Sequence, residues 1–575
     1  MRQSMFDTAN NRLDYGDLLQ PDIDHPGEDW KLEFAVGFTY SLDLEALLGV
    51  PISLGLMDEM DTSLRDNPYY VLEAIRKSSD KIAIFCNAGG ISLPQSIRSI
   101  YTLLENSVFE VKLPNKQNFH PKMWFIKYNS HEKSYIKLIV LSRNLTFDSS
   151  LDYSFEMTGV VGRAKRLKNQ PLSDMLMFAS EFSNKAKKEK ILSLAKDVLN
   201  VKQFEIESPF EEYTFLPLGI PAYDKSNTGL FEGNRDVIVV SPFLSDDIVK
   251  EITKVNGRKT LITRKVSLNK CALEAFNQSY ITKEVLVDNE LASKHDIHAK
   301  LYFTSGTAGN HLYIGSANAS HNAFFNNVEF LIMLKYAPRQ ASYDQILNDL
   351  IPKDNCPFEE ITTTSEILPA EKDKALDDAL KEAVWGIRGA RVIEEGDRYD
   401  IELRTINIAS KILVRIAPLQ KSYALVPLGK ITLLQQLLLK ELSQFYILEA
   451  EGKKIVVKIE TSKIPLARDE AIYKGIISTK SDFMSYLSML LSENYVQTAL
   501  EQEEEVRIIM AGMGDQIVDR PVSGIYEKLL KVMVQDPDKL KAIADVMKKI
   551  DPEVIGDDFR NMYKYFELAT RRLRK

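Results

Sequence analysis

The chain has 575 residues, too many for a single hydrophobic core, so two to four domains are expected. Apolar residues make up 45% and charged residues 27%, and 73 Lys and Arg against 81 Asp and Glu leave a net charge of −8. That balance argues against a protein that coats itself on a polyanion and leaves room for a local basic groove. The three cysteines, Cys86, Cys271 and Cys356, lie far apart, which disfavours a disulfide framework or a Cys-x-x-Cys zinc site. No run approaches the roughly 18 apolar residues of a membrane span, and the first ten residues lack an apolar core of signal-peptide length. A cytoplasmic protein with no membrane partner and no cofactor is expected.

Residues 1–30 are Asp-rich and without pattern, and read as a loosely held arm. Lys81–Cys86 reads as an apolar strand stopped by Gly89-Gly90. A helix is expected from about Ser96 to Glu105, with Ile97, Ile100, Leu103 and Leu104 on its apolar face. Strands follow at Val108–Leu113 and Phe119–Ile126. Lys185-Ala186-Lys187-Lys188-Glu189-Lys190 is a solvated helix face. Asp236–Val240 is a continuous apolar strand, as in a sheet covered on both faces. Ser245-Asp246-Asp247 caps a helix through Ile248 and Ile252; Thr260–Thr263 is a strand, Ala272–Phe276 a helix and Glu284–Val287 a third strand. This alternation argues an α/β class for both stretches. Pro352, Pro357, Pro369 and Thr362-Thr363-Thr364 mark a linker, residues 385–463 look strand-rich, and Asp536-Pro537 and Asp551-Pro552 each read as a helix N-cap followed by Pro.

One pattern occurs twice. Asp296–Phe303 reads as a strand whose alternation places His298, Lys300 and Tyr302 on one side, away from the apolar layer of Ile297, Ala299, Leu301 and Phe303. A second strand then ends in Ser316-Ala317-Asn318. Earlier, His120-Pro121-Lys122 is followed by a strand ending in Ser142-Arg143-Asn144. Lys and Asn are 22 residues apart in the first copy and 18 in the second, and a Glu follows the Asn by 12 residues (Glu156) or 11 (Glu329).

These residues suit phosphodiester cleavage. With an ordinary pKa of about 6.5, one His ring can act as base or nucleophile and another as acid. Lys122, Lys300, Asn144 and Asn318 would hold the phosphoryl oxygens, and Glu156 and Glu329 would each orient a His ring. Ser142 and Ser316 are expected to line the pocket, with Arg143 either on phosphate or at the surface; His295 and His321 are further candidates for substrate contact. No metal-ligand cluster is evident.

The paired motifs resemble the phospholipase D superfamily over residues 30–340. Where its lipases carry Asp five residues after the Lys, this sequence has Lys127 and Ser305, and the Ser-x-Asn setting is similar to the tyrosyl-DNA phosphodiesterase and nuclease branch. The resemblance implies two similar α/β half-domains sharing one active site, residues 1–210 and 211–345. A linker (346–384), a strand-rich domain (385–465) and a helical domain (466–575) would follow. It implies a metal-independent phosphodiesterase acting on nucleic acid through a phosphohistidine, with His120 as nucleophile and His298 as acid and water activator. By analogy the large C-terminal half suggests a bacterial defence or restriction-like effector, working with protein partners or as a homo-oligomer. The alternatives are a phospholipid hydrolase or transferase, and a non-catalytic binding or assembly protein retaining the fold.

Overall fold

The computed structural model describes residues 18–19, 30–55, 68–114, 117–130, 133–146, 150–223, 230, 232–287, 290–293, 297–306, 309–353, 356–362, 374–406, 410–491, 529–530, 532–533 and 537–573. Most of the expected N-terminal arm, His295, Asp296 and the centre of the expected linker lie outside them. The chain forms two compact units: Met1–Ala46 with Lys81–Ser92 and Ser107–Asp378, and Leu47–Asp80 with Leu93–Asn106 and Ala379–Lys575.

The first unit contains two mixed sheets. In the first, β1 (Lys31–Phe38), β2 (Ile82–Asn87), β3 (Val108–Val111), β4 (Met123–Ser130), β5 (Lys133–Leu141) and β6 (Ser154–Val160) lie in the order β3-β2-β1-β4-β5-β6. The strands β1, β2 and β3 run parallel, and β4, β5 and β6 then alternate antiparallel from β1. The second sheet is built from β7 (Glu212–Leu218), β8 (Asn234–Val240), β9 (Lys259–Thr263), β10 (Gln278–Thr282), β11 (Leu301–Gly306), β12 (Gly309–Gly315), β13 (Glu329–Tyr336) and β14 (Phe358–Glu360). Its order is β14-β10-β9-β8-β11-β12-β13-β7. Without the edge strands β14 and β7, it repeats the first sheet in both order and direction.

The repeat extends to register. Met123 pairs with Phe38, the last residue of β1, and Leu301 pairs with Val240, the last residue of β8. Across the next ladder Met123 faces Val140 and Leu301 faces Ile314. Lys122 thus corresponds to Lys300, Ser142 to Ser316 and Asn144 to Asn318.

Apolar side chains from both sheets join one core, with Phe34, Val36, Phe125 and Leu138 of the first and Ile238, Val240, Phe303 and Leu312 of the second all buried in it. Ile297, Ala299, Leu301 and Phe303 line this core, as the alternation implied. The opposite side is also covered: Tyr302 is fully buried in a second cluster with Val237, Val239 and the helix Asp246–Ile252. That face is not free of an apolar layer, because the helices of an α/β unit pack on it.

Neither His-x-Lys lies inside a strand. The strands begin at Met123 and Leu301. Pro121 has no N–H to give a ladder, and the His298 and Ala299 N–H groups both donate to Leu151 O, at 3.1 and 2.9 Å. The expected helix at 96–105 is a 3₁₀ helix, Ser99–Ser107, in keeping with the three-residue spacing of Ile97, Ile100 and Leu103. Gln278–Thr282, not Glu284–Val287, is the third parallel strand of the second sheet; Glu284–Val287 pairs antiparallel with Glu290–Ser293.

In the second unit, Ile387–Glu395, Arg398–Thr405 and Ile431–Leu437 form one antiparallel ladder, and Phe445–Ala450 pairs with Lys453–Lys458 and Arg415–Pro418. Helices follow at Ala467–Ile476, Lys480–Leu490, Pro537–Met547, Pro552–Ile555 and Asp557–Leu573. Arg468 donates to the fully buried Glu105 at 2.6 Å, and Ser443 Oγ and the Gln444 N–H complete the shell of that carboxylate. A charge without access to water is thereby paired and hydrogen-bonded on both oxygens.

Candidate active site

Each repeat delivers its motif to the edge of the other. Phe119 bridges Val328 in parallel, and the His120 N–H donates to Val328 O at 2.9 Å. Leu151 bridges Ile297 in the same sense. His120 therefore arrives beside Glu329, and His298 beside Asp152.

The first of these meetings is explicit. His120 Nδ1 lies 2.8 Å from Glu329 Oε2, a contact between residues 209 apart in sequence. Because a carboxylate oxygen accepts, Nδ1 donates, which leaves Nε2 as the basic atom of the ring. Glu329 is fully buried, accepts from Ser316 Oγ at 2.5 Å, and is reached at Oε1 by Asn327 Nδ2 at 3.3 Å. The Phe330 N–H donates to Ser316 Oγ at 3.0 Å. Gly315 makes this turn possible: its φ is +153°, and a Cβ there would stand 2.2 Å from Phe330 O.

The first repeat builds the same cradle from different residues. Ser142 Oγ donates to Asp152 Oδ1 at 3.2 Å and accepts from the Tyr153 N–H at 2.9 Å. Register agrees: Leu141 pairs with Ser154 as Gly315 pairs with Leu331, so Asp152 corresponds to Glu329. Asp152 is 1% exposed. Glu156, the expected counterpart, corresponds instead to Met333; its carboxylate is 38% exposed and bound to Lys137 Nζ at 2.7 Å. It lies four residues further along β6, on the same side as Asp152 but displaced from the site along the strand. Asp152 was missed because it follows Asn144 by only 8 residues, whereas Glu329 follows Asn318 by 11, a stretch that holds the helix His321–Phe325.

Both lysines are buried. Lys122 Nζ donates to His120 O at 2.9 Å and lies 3.2 Å from each ring nitrogen of His120. Lys300 Nζ donates to His298 O and is 3.4 Å from Ser142 O, so the second motif touches the first repeat's cradle. Burial and the neighbouring Lys300 hold the Lys122 amine well below its ordinary range, against the pull of Glu329 and Asp152. Burial there disfavours the ammonium form, and an anion bound beside the amine would favour it. Asn144 Oδ1 accepts from the Tyr40 and Ser41 N–H groups at 3.3 and 3.4 Å, which sets its NH₂ on the opposite side. Asn318 is buried, and its Oδ1 has no donor among the described residues.

The remaining candidates are held by the protein. Arg143 is 8% exposed, donates to Thr146 O at 3.1 Å and approaches Asp152 Oδ2 to 3.8 Å. Lys127 pairs with Glu33 and Asp197, and Ser305 donates to Asp236 at 2.9 Å. His321 is exposed and 2.6 Å from Asp247 Oδ2. Tyr40, not singled out in the sequence, packs on His120 with ring centroids 4.8 Å apart. Among the described residues no three His, Cys, Asp or Glu side chains converge as a metal cluster, and no helix is long and apolar enough to cross a membrane.

Burial lowers the His120 pKa to about 4, against the opposing pull of Glu329 and with help from Lys122. The ring is neutral at neutral pH, as a nucleophile or base must be. An NMR titration is expected to show His120 taking up its proton near pH 4; a midpoint near 6.5 would contradict the burial. The unfolded ring protonates near 6.5. The neutral ring therefore stabilises the fold fully above that pH, and the contribution is lost as the pH falls through 4.

No protein-family model matches the chain, and no curated protein matches it in sequence. It is similar to several solved structures. A mutant of yeast tyrosyl-DNA phosphodiesterase is 12% identical, with a TM-score of 0.34 over 54% of this chain and 84% of that one. Phosphatidylserine synthase of Haemophilus influenzae Rd KW20 is 10% identical, with a TM-score of 0.32 over 64% of this chain and 89% of that one. Nuc of Salmonella typhimurium is 12% identical, with a TM-score of 0.19 over 26% of this chain and 99% of that one. All three are members of the phospholipase D superfamily; the functional reading rests on the site residues, not on these overlaps.

Proposed function

We propose that this chain is a phosphodiesterase of the phospholipase D superfamily that hydrolyses nucleic acid through a phosphohistidine, with the two repeats as half-domains of one active site. The observation that carries the reading is the neutral His120 ring, fixed by a buried carboxylate from the other repeat and lying against a buried amine. In this reading His120 Nε2 attacks phosphorus and the bond to the leaving oxygen breaks. His298 gives that oxygen a proton, then removes one from the water that attacks the phosphohistidine and restores His120. Glu329 holds the His120 ring and stabilises the positive charge it gains on attack. Asp152 has the corresponding position for His298. Lys122, Lys300, Asn144 and Asn318 stabilise the phosphoryl oxygens.

The two lysine amines supply the positive charge that a divalent ion supplies in other phosphoryl-transfer sites, which supports metal independence. The second unit is read as the part that grips substrate or protein partners, in a setting of defence against foreign nucleic acid. The test is incubation of the purified protein with DNA, RNA and phospholipid, each with and without EDTA. Cleavage of nucleic acid that survives EDTA is expected. Loss with EDTA, restored by magnesium or zinc, would refute the metal-independent mechanism; cleavage of lipid alone would refute the substrate.

A further inference from the structure

The two repeats bring matched catalytic side chains to the site in matched register, yet the two substituents of a nucleic-acid phosphodiester differ. Discrimination between them must come from residues that break the repeat. Matched hydrogen bonds identify those residues. The Leu145 N–H donates to Thr39 Oγ1 and the Ala319 N–H to Ser241 Oγ, both at 2.9 Å. Thr39 Oγ1 donates to Ser41 O at 2.6 Å and Ser241 Oγ to Phe243 O at 2.8 Å. Leu42 bridges Leu145 as Leu244 bridges Ala319. Tyr40 and Ser41 therefore correspond to Pro242 and Phe243. Pro242 has no N–H and so cannot give Asn318 Oδ1 the hydrogen bond that the Tyr40 N–H gives Asn144 Oδ1.

The strand ends differ as well. Asn87 Oδ1 accepts from the Phe119 N–H at 2.9 Å, ahead of His120. At the matching place Arg264 Nε donates to Ile297 O at 3.0 Å, ahead of His298. The Arg264 guanidinium carbon lies 5.2 Å from the centre of the Phe243 ring, and Phe243 is 41% exposed. On the His120 side, by contrast, Tyr40 packs onto the catalytic ring itself. One flank is closed by an aromatic residue, and the other offers an exposed aromatic ring backed by a cation.

We propose that Phe243 and Arg264 form a nucleobase-binding subsite beside His298. The base of the nucleotide on that side of the scissile phosphate stacks on Phe243, and the guanidinium, fixed through Nε, backs that ring with its positive charge. The class of ligand is a single-stranded nucleotidyl group whose base is free to unstack. An aromatic face accepts any base, so the subsite sets the polarity of cleavage, not its sequence. Arg suits this place because a planar guanidinium can lie on an aromatic ring and still donate at its edge. The subsite rests on the nucleic-acid reading of the active site.

The test uses short single-stranded oligonucleotides with an abasic residue on one side or the other of a defined cleaved phosphate, assayed on wild type, Phe243→Ala and Phe243→Trp. In wild type, removing the base on one side only is expected to lower kcat/KM by about 5- to 150-fold, the range for a stacked base. In Phe243→Ala the intact substrate falls by a similar factor, and the abasic residue on that side has no additional effect; Phe243→Trp recovers most of the loss. Equal abasic effects on the two sides, or effects that multiply with Phe243→Ala, would overturn the subsite. Hydrolysis of bis(p-nitrophenyl) phosphate by wild type, which needs no base, tests the phosphodiesterase reading separately. If wild type leaves that ester and the oligonucleotides uncut, the hydrolytic reading fails. The same oligonucleotides are then compared by fluorescence anisotropy, where equal Kd for intact and abasic strands would overturn the subsite.

Discussion

Replacing His120 by Ala is expected to lower kcat on a phosphodiester by about 10⁴-fold or more, because it removes the attacking atom and not an auxiliary contact. The ring is neutral, its Nδ1 is engaged by Glu329, and its Nε2 is the remaining nucleophilic atom. Loss of the ring also leaves the buried Glu329 without its imidazole partner, so folding is checked by thermal melting, and His120→Asn serves as a second variant of closer shape. His298→Ala fails differently. It spares the attacking atom and removes a proton donor worth about 10²–10⁴-fold, and a substrate with an acidic leaving group, such as p-nitrophenol, is expected to recover much of the first step. Undiminished cleavage in both variants would remove these rings from the chemistry.

The second large effect separates three carboxylates that look alike in the sequence. Glu329→Gln is expected to lower kcat by about 10²–10⁴-fold while preserving the fold, since an amide can hold Nδ1 but cannot stabilise the charge that the ring gains on attack. Asp152→Asn is expected to act in the same direction through His298. Glu156→Gln is expected to change kcat by less than about threefold, because Glu156 is a half-exposed partner of Lys137 on β6. Steady-state kinetics of the three variants decides the matter: a loss at Glu156 as large as that at Glu329 would contradict the register across β5 and β6.

Much of the candidate site was legible because unlike residues recur in it at repeated spacing. His120, Lys122 and Asn144, and again His298, Lys300 and Asn318, cannot recur in that order through apolar patterning alone. Glu329 was legible for a simpler reason, a carboxylate inside an otherwise apolar strand. Asp152 was not. Its place is set by how β6 pairs with β5, and the loop between them differs in length from the loop between β12 and β13; spacing counted along the chain slips by four residues onto Glu156. The meeting of His120 with Glu329, from opposite repeats, has no local signature at all. Nor did the sequence reveal that both motifs stop short of their strands, since alternation is the same in a strand and in the extended segment before it. The central strand Lys31–Phe38 escaped notice because it alternates only at its start and is buried on both faces beyond Phe34.

The proposed mechanism passes through a covalent phosphohistidine on His120, in a site shared by both repeats. Mass spectrometry of the His298→Ala variant, quenched without acid after exposure to a substrate with a p-nitrophenolate leaving group, tests it most directly. A phosphoryl adduct is expected on the peptide containing His120, absent from His120→Ala. An adduct on a different residue, or continued hydrolysis by His298→Ala with no adduct at any time point, would contradict it.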